Sequence, residues 1–307
     1  MRNFMPQLTR STRANTTRPS ARPAVLFALF EDRPPRSSLL RAFALAKLLD
    51  ADLHVLRVLP AITRVNPLFP QHNVADTTNS MEHALFASRT ARGWLRECLQ
   101  EDDTYTERFS IAHGDFVDQV AEHAAKLEAV LIVVAPTDDQ PGSTVTALAT
   151  EAGVPVLVAR HVTTHATIVA ATDLESVGYP VLRYAATLAR RLDAAVVAVH
   201  NVAPVPIVGY NIPWNSSGLS QELLRQIRVE RLSQITGALS VDTCPVVRSE
   251  LTPADAILVE ARESDADLVV VGTRKHGWLR AFFASDVAAE IVNRAKRSVL
   301  VTPLDAS

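Results

Sequence analysis

The sequence predicts an α/β fold of two tandem domains, each a five-stranded mainly parallel sheet with helices on both faces. Short continuous apolar runs alternate with stretches whose apolar residues recur every three or four positions, the pattern of buried strands joined by amphipathic helices. A second set of the same elements starts 143 positions after the first. Finally, the late apolar run 266–272 ends on Gly272 and leads through a basic loop to a helical pattern and a further strand-like run. A parallel strand, a glycine loop and a helix N-terminus together form an anion-binding crevice.

Taken in order, residues 24–30 form a continuous apolar run bounded by Pro23 and the turn 31–35, and read as a buried strand. Leu39, Ala42, Phe43, Ala46 and Leu49 then mark one face of a helix, Asp50 closes it, and 53–59 is the next strand. The same order returns at 166–172, in a helix marked by Val181, Ala185, Leu188 and Leu192, and at 195–202. Leu39 falls on Leu182, Leu45 on Leu188, Leu49 on Leu192, and Asp50-Ala51 on Asp193-Ala194. Proline-rich loops then lead to helices expected over 81–99 and 221–239. Strands follow near 108–112 and 245–250, helices at 117–126 and 254–263, apolar strands at 129–135 and 267–272, and closing strands at 155–159 and 298–302. Alternating strands and helices imply right-handed crossovers in a mainly parallel sheet. The expected division is a basic tail over 1–23, a first domain over 24–160 and a second over 161–307. The two are expected to pair internally through the edges formed by their closing strands, as a homodimer of single-domain chains would.

Composition narrows the function. With 48% hydrophobic and 21% charged residues the chain reads as globular, and a net charge of -2 argues against nucleic acid or an anionic membrane as an obligate partner. Cys98 and Cys244 suit neither a disulfide framework nor a metal site, and the nine histidines are scattered. No apolar run approaches the roughly 20 residues needed to span a bilayer. These features predict a cytoplasmic protein with no metal. Residues 1–23 carry Arg2, Arg10, Arg13, Arg18 and Arg22 and no acid, which reads as a disordered tail. The same composition also fits an organellar transit peptide.

A strand ending in Asp, a long helix, and Val-Val-Val-Gly-Thr-Arg before a helix and Val-Leu-Val-Thr resemble the universal stress protein family, over nearly all of residues 24–303. The resemblance implies Rossmann-like (adenine nucleotide alpha hydrolase-like) domains in tandem. In nucleotide-binding members it implies an Asp near adenine and ribose and a Gly-x-x-Gly, nine residues, Gly-Ser or Gly-Thr cradle for phosphate. Asp173 matches the Asp and Gly272 the first glycine. Lys275 stands in place of the second glycine, Ser285-Asp286 in place of Gly-Ser, and Gly277 matches a further common glycine. A Cβ at 275 hinders backbone N–H groups from approaching a phosphate. A carboxylate at 286 either repels phosphate, by a few kcal/mol at about 4 Å, or caps the helix, a contribution of about 1 kcal/mol. The cap is the favoured reading. In the first copy Phe30 replaces the Asp, with Asp32 two residues on, and Ala135 replaces the first glycine. The loop from Ala135 to Pro155 spans 20 positions, against 26 from Gly272 to Ser298. No phosphate site is expected there.

The candidate ligand-binding set is therefore Thr172, Asp173, Gly272, Thr273, Arg274, Gly277 and Ser285. Arg274, Lys275, His276 and Arg280 form a basic group beside it, read either as a phosphate holder or as a solvated face. The apolar loop 205–214 reads as packing on its own domain, as a pocket wall or as a contact surface. His200 reads as a satisfied histidine rather than a catalytic base. Gly-x-Ser-x-Gly, His-Glu-x-x-His and a complete phosphate loop are all missing from the sequence. The expectation is a non-enzymatic stress-response protein that binds a small ligand or a protein partner, with no certain cofactor. One alternative is retained ATP or AMP in the second domain, and another is a nucleotide-dependent enzyme of similar fold.

Overall fold

The computed structural model describes residues 22–60, 73–99, 108–137, 142–160, 167–175, 179–202, 221–274 and 287–304. The strands are β1 (Ala24–Leu29), β2 (Asp52–Leu59), β3 (Phe109–His113), β4 (Ala129–Val134), β5 (Val156–Val158), β6 (Thr167–Ala171), β7 (Ala195–Asn201), β8 (Thr243–Arg248), β9 (Leu268–Thr273) and β10 (Ser298–Pro303). The helices are α1 (Arg36–Leu48), α2 (Asn73–Cys98), α3 (Phe116–Lys126), α4 (Gly142–Ala152), α5 (Pro180–Leu192), α6 (Gln221–Gly237), α7 (Pro253–Glu263) and α8 (Val287–Arg294).

All ten strands lie in one sheet, in the order β3-β2-β1-β4-β5-β10-β9-β6-β7-β8. Each copy contributes five parallel strands, and the second copy repeats the order of the first from the opposite edge. The join is the antiparallel pair β5–β10, with Val299 opposite Val158 and Val301 opposite Val156. Because that pairing reverses direction, the carboxyl ends of the two sets of strands point to opposite ends of the molecule.

Successive side chains on a strand face opposite sides. On β1, Val25, Phe27 and Leu29 join a core with Leu39 and Ala42 of α1, Trp94 of α2, Leu182 of α5 and Leu232 of α6. Ala24, Leu26 and Ala28 face the second core, with Val120 of α3, Leu148 of α4, Ile257 of α7 and Ile291 of α8. Strands covered on both sides need apolar residues at every position, which is why β1 and β4 carry no alternation.

The repeated Asp50-Ala51 and Asp193-Ala194 have a backbone cause. Asp50 and Asp193 adopt φ of 49° and 53° at the ends of α1 and α5, a left-handed conformation that Asp tolerates better than most residues. Asp115 and Thr252 occupy matching cap positions. Asp115 accepts from Val117 N and Asp118 N, and Thr252 from Asp255 N, at the starts of α3 and α7. One helix differs from expectation, since α2 begins at Asn73 rather than at residue 81. Residues 73–80 contain Val74 and Ala75 but no apolar stripe, so hydrophobic periodicity gives no sign of this first part of the helix.

The copies are also locked through helices. Gly142 N donates to Asn293 Oδ1 at 2.6 Å, and Arg160 Nη2 donates to the carbonyl of Val292 at 2.7 Å, near the end of α8. Among the described residues, no helix is long and apolar enough to cross a membrane.

Candidate functional site

In open parallel sheets, ligands bind beyond the carboxyl ends of strands where the order of connection reverses. In the second copy that point lies between β6, flanked by β7, and β9. A cleft of about 340 Å³ opens there, at the small end of the range for ligand pockets. Its walls come from Val199, Val271, Ile257 and Val181, and its polar groups from Thr172, Asp173, Glu175, Tyr179, His200 and Asn201.

The chain turns sharply after β6. Thr172 N donates to the carbonyl of Val199, extending the ladder by one rung. Leu174 N donates to Thr172 Oγ1 at 3.1 Å, and Glu175 N donates to Asp173 Oδ1 at 3.0 Å. Between them Leu174 adopts φ 61° while its side chain is 2% exposed. A leucine in this region costs on the order of 1–3 kcal/mol and persists only where its surroundings hold it. Here the buried side chain is the anchor, and the turn leaves the Asp173 carboxylate at the mouth of the cleft. Across the mouth, Arg274 Nη2 donates to Asp173 Oδ2 at 3.3 Å, with both side chains about half exposed. Such a pair contributes less than about 1 kcal/mol, so it ties the end of β6 to the end of β9 without locking them.

Gly272 lines the cleft, but its immediate neighbour is the protein's own chain. A Cβ at 272 would come within 2.7 Å of Leu304 Cδ2, and Leu304 N donates to the carbonyl of Thr273 at 2.8 Å. The glycine thus makes room for Leu304 beside the cleft. Thr273 is buried and does not line the cleft. Gly277 and Ser285 lie outside the described residues, as do Lys275, His276, Arg280, Asp286 and the loop 205–214.

His200, at the end of β7, lies in the cleft wall with its Nδ1 2.9 Å from the carbonyl of Thr172. Burial depresses its pKa, which the hydrogen bond to Thr172 only partly offsets. The neutral ring is therefore favoured in the fold. Stability is then fully present above the unfolded-state pKa of about 6.5 and declines as pH falls from there through the lower folded-state value. His54, also depressed chiefly by burial, adds to the same slope. Replacing His200 by Asn should flatten, but not abolish, the fall in urea-denaturation stability below pH 6.5.

Several cleft residues carry no sequence signal of their own. Tyr179 and Pro180 enter because α5 begins there, and Pro253 and Ile257 because α7 crosses the far side. The side chain of Asn201 donates to the carbonyl of Glu250 and accepts from Glu250 N, at 3.1 and 2.9 Å, holding the segment ahead of α7 against β7.

The matching place in the first copy carries different side chains. Arg57, at the position of His200, donates through Nε to Asp32 Oδ1 at 2.8 Å and through Nη1 to the carbonyls of Leu29, Phe30 and Val58. Phe30, at the position of Asp173, packs on Phe116 with ring centroids 4.6 Å apart. Where one copy ties Arg57 to its own carbonyls and to Asp32, the other sets His200 in the wall of a cleft.

Residues 165–303 match the model of the universal stress protein family. A universal stress protein of Methanocaldococcus jannaschii is 30% identical over 138 residues, 44% of this chain and 79% of that protein. The chain belongs to the universal stress protein family. Among solved structures, this universal stress protein is similar to one from Archaeoglobus fulgidus DSM 4304, with a TM-score of 0.60 and 16% identity over 91% of this chain and 96% of that one. It is also similar to a protein of unknown function from Pseudomonas aeruginosa PAO1, with a TM-score of 0.56 and 19% identity over 92% and 93%. At these identities the likeness is one of fold, and it extends over both copies.

Proposed function

We propose that this universal stress protein works without catalysis, in the cytoplasmic response to stress, by binding a small ligand in the second of two domains, 161–307, while the first, 24–160, serves as a closed structural partner. The observation that carries this reading is the asymmetry at one repeat position: Arg57 is held by Asp32 in one copy, and His200 borders a cleft in the other. A pocket with apolar walls and a few placed polar groups is the usual make-up of a small-molecule site. No nucleophile–base pair faces the cleft among the described residues, which favours binding over turnover.

The position of Asp173 favours a second reading, in which the ligand is AMP or ATP. A carboxylate at the end of the first strand of the copy is placed to accept hydrogen bonds from ribose hydroxyls, and breaking its exposed pair with Arg274 costs little. Two measurements test these readings. Native mass spectrometry of gently purified protein should show a retained small molecule. A thermal-shift titration with AMP, ADP and ATP should raise Tm progressively with concentration if a nucleotide is the ligand, as linkage requires. Asp173→Ala should then weaken binding about tenfold, the equivalent of one charge-assisted hydrogen bond. A flat titration removes the nucleotide reading, and a protein that retains nothing and responds to no small molecule removes the ligand reading itself.

A further inference from the structure

We infer that His200 is the specificity-determining residue of the cleft, its Nε2 accepting a hydrogen bond from a ligand that carries an N–H donor on the edge of a planar ring. This rests on the reading of the cleft as a ligand site and adds the chemistry that it selects. A carbonyl oxygen can only accept, so the 2.9 Å contact with Thr172 O places the ring proton on Nδ1. In the neutral ring Nε2 is then a lone-pair acceptor. Nε2 has no hydrogen-bond partner among the described residues, and it is not among the sealed, partnerless side-chain atoms, Arg41 Nε and Thr137 Oγ1 being such atoms. It therefore opens on the cleft that the ring lines.

The surroundings keep that acceptor available. The charged groups that act on the ring are Asp173 and Glu175, which follow β6, and Arg228 on α6. Around it β9, α5 and α7 supply Val271, Val181 and Ile257, and Arg231 on α6 is engaged with the Tyr179 hydroxyl at 3.0 Å. Such walls suit a flat ring, and Nε2 is the acceptor set among them to read its edge, with the Asp173 and Glu175 carboxylates lining the same cleft. The first copy shows what the position does otherwise: the Arg57 guanidinium has donors only, and it donates to the chain's own oxygens, those of Asp32, Leu29, Phe30 and Val58.

Adenosine and purine riboside, which differ only in the amino group on the ring, form the matched probe pair. Isothermal titration of the full chain at pH 7.5 should show adenosine binding at least about tenfold tighter than purine riboside. His200→Asn keeps a donor for Thr172 but places nothing at Nε2, and it should bring adenosine to the level of purine riboside. His200→Gln, whose Oε1 reaches the Nε2 position, should restore much of the preference. In the wild type the preference should fade as pH drops and Nε2 takes a proton, and in His200→Gln it should not. NMR titration of the His200 ring provides a readout that needs no variant: bound adenosine should push its pKa lower still. An undiminished preference in His200→Asn, or a ring pKa unmoved by saturating adenosine, overturns the role of His200 alone. Failure of both nucleosides to bind the wild type overturns that role together with the cleft as a site for such rings.

Discussion

Arg248→Met should lower the unfolding free energy by about 3 kcal/mol, the low end for stripping a buried carboxylate of its counter-ion. Arg248, at the end of β8, donates through Nε and Nη2 to Glu260 Oε2 at 2.7 and 2.5 Å, and Nη2 also bonds Glu263. Glu260 is 9% exposed at its side chain and Glu263 53%. The buried carboxylate has little water to turn to when the guanidinium is removed, and the exposed one has plenty. The loss therefore comes almost wholly from Glu260. Urea denaturation is the direct measurement, and for a chain of this length the accompanying fall in Tm is roughly 4–6 °C. Adding Glu260→Met should recover most of the loss, because replacing both members of a buried pair by apolar groups is often neutral. The effect should extend to the cleft, since α7 carries Pro253 and Ile257 into its wall. A loss below about 0.5 kcal/mol for Arg248→Met would show that Glu260 is already solvated.

Gly142→Val should cost at least about 2 kcal/mol, the middle of the range for overpacking. A Cβ at 142 would fall 2.1 Å from the carbonyl oxygen of Ala289 and 2.8 Å from its carbon. These are backbone atoms of α8, so relief requires moving the helix and not a side-chain rotamer. Gly142 N also donates to Asn293 Oδ1 on that helix, and a displaced α8 takes Ala288 of the cleft wall with it. Ligand affinity should therefore fall along with stability. Gly93 on α2 is the control, with nothing within 4 Å of a built Cβ. Gly93→Ala should stabilise by about 0.5–1 kcal/mol through helix propensity alone. Measured by the same denaturation, the two glycines should differ in sign, and a shared sign would sink the packing argument.

These two sites mark where sequence reasoning is strong and where it stops. The helices α3 and α7 were legible from their apolar period, while their caps, Asp115 and Thr252, emerged with the structure although each bonds only neighbours in the chain. The pair Arg248–Glu260 joins a strand end to a helix across a crossover, and neither residue stands out from the other charged positions until the fold brings them together. Gly142 is similar. In the sequence it is one glycine in a loop before a helix, and its close approach is to a helix of the other copy.

Within the candidate site, Asp173 and Gly272 could be picked out because each ends an apolar run, and parallel strands bring such ends side by side. The function of Gly272 was not legible, since the space it leaves is filled by Leu304, 32 positions on in the chain. The contrast between Arg57 and His200 was equally hidden. The repeat aligns the two positions, but only the packed structure shows the guanidinium reaching three carbonyls and Asp32, and the imidazole reaching one.

The sequence alone determined the alternation of strands and helices, the duplication, and the helix ends at Asp50 and Asp193, because hydrophobic period and backbone conformation depend on residues close together in the chain. The tertiary structure alone decided that the two copies share one sheet through β5 and β10, and that Arg57 is bound to Asp32 where His200 lines a cleft. Both outcomes depend on which groups meet across the fold, and the energy of a contact between distant residues exists only once their separation in space is set.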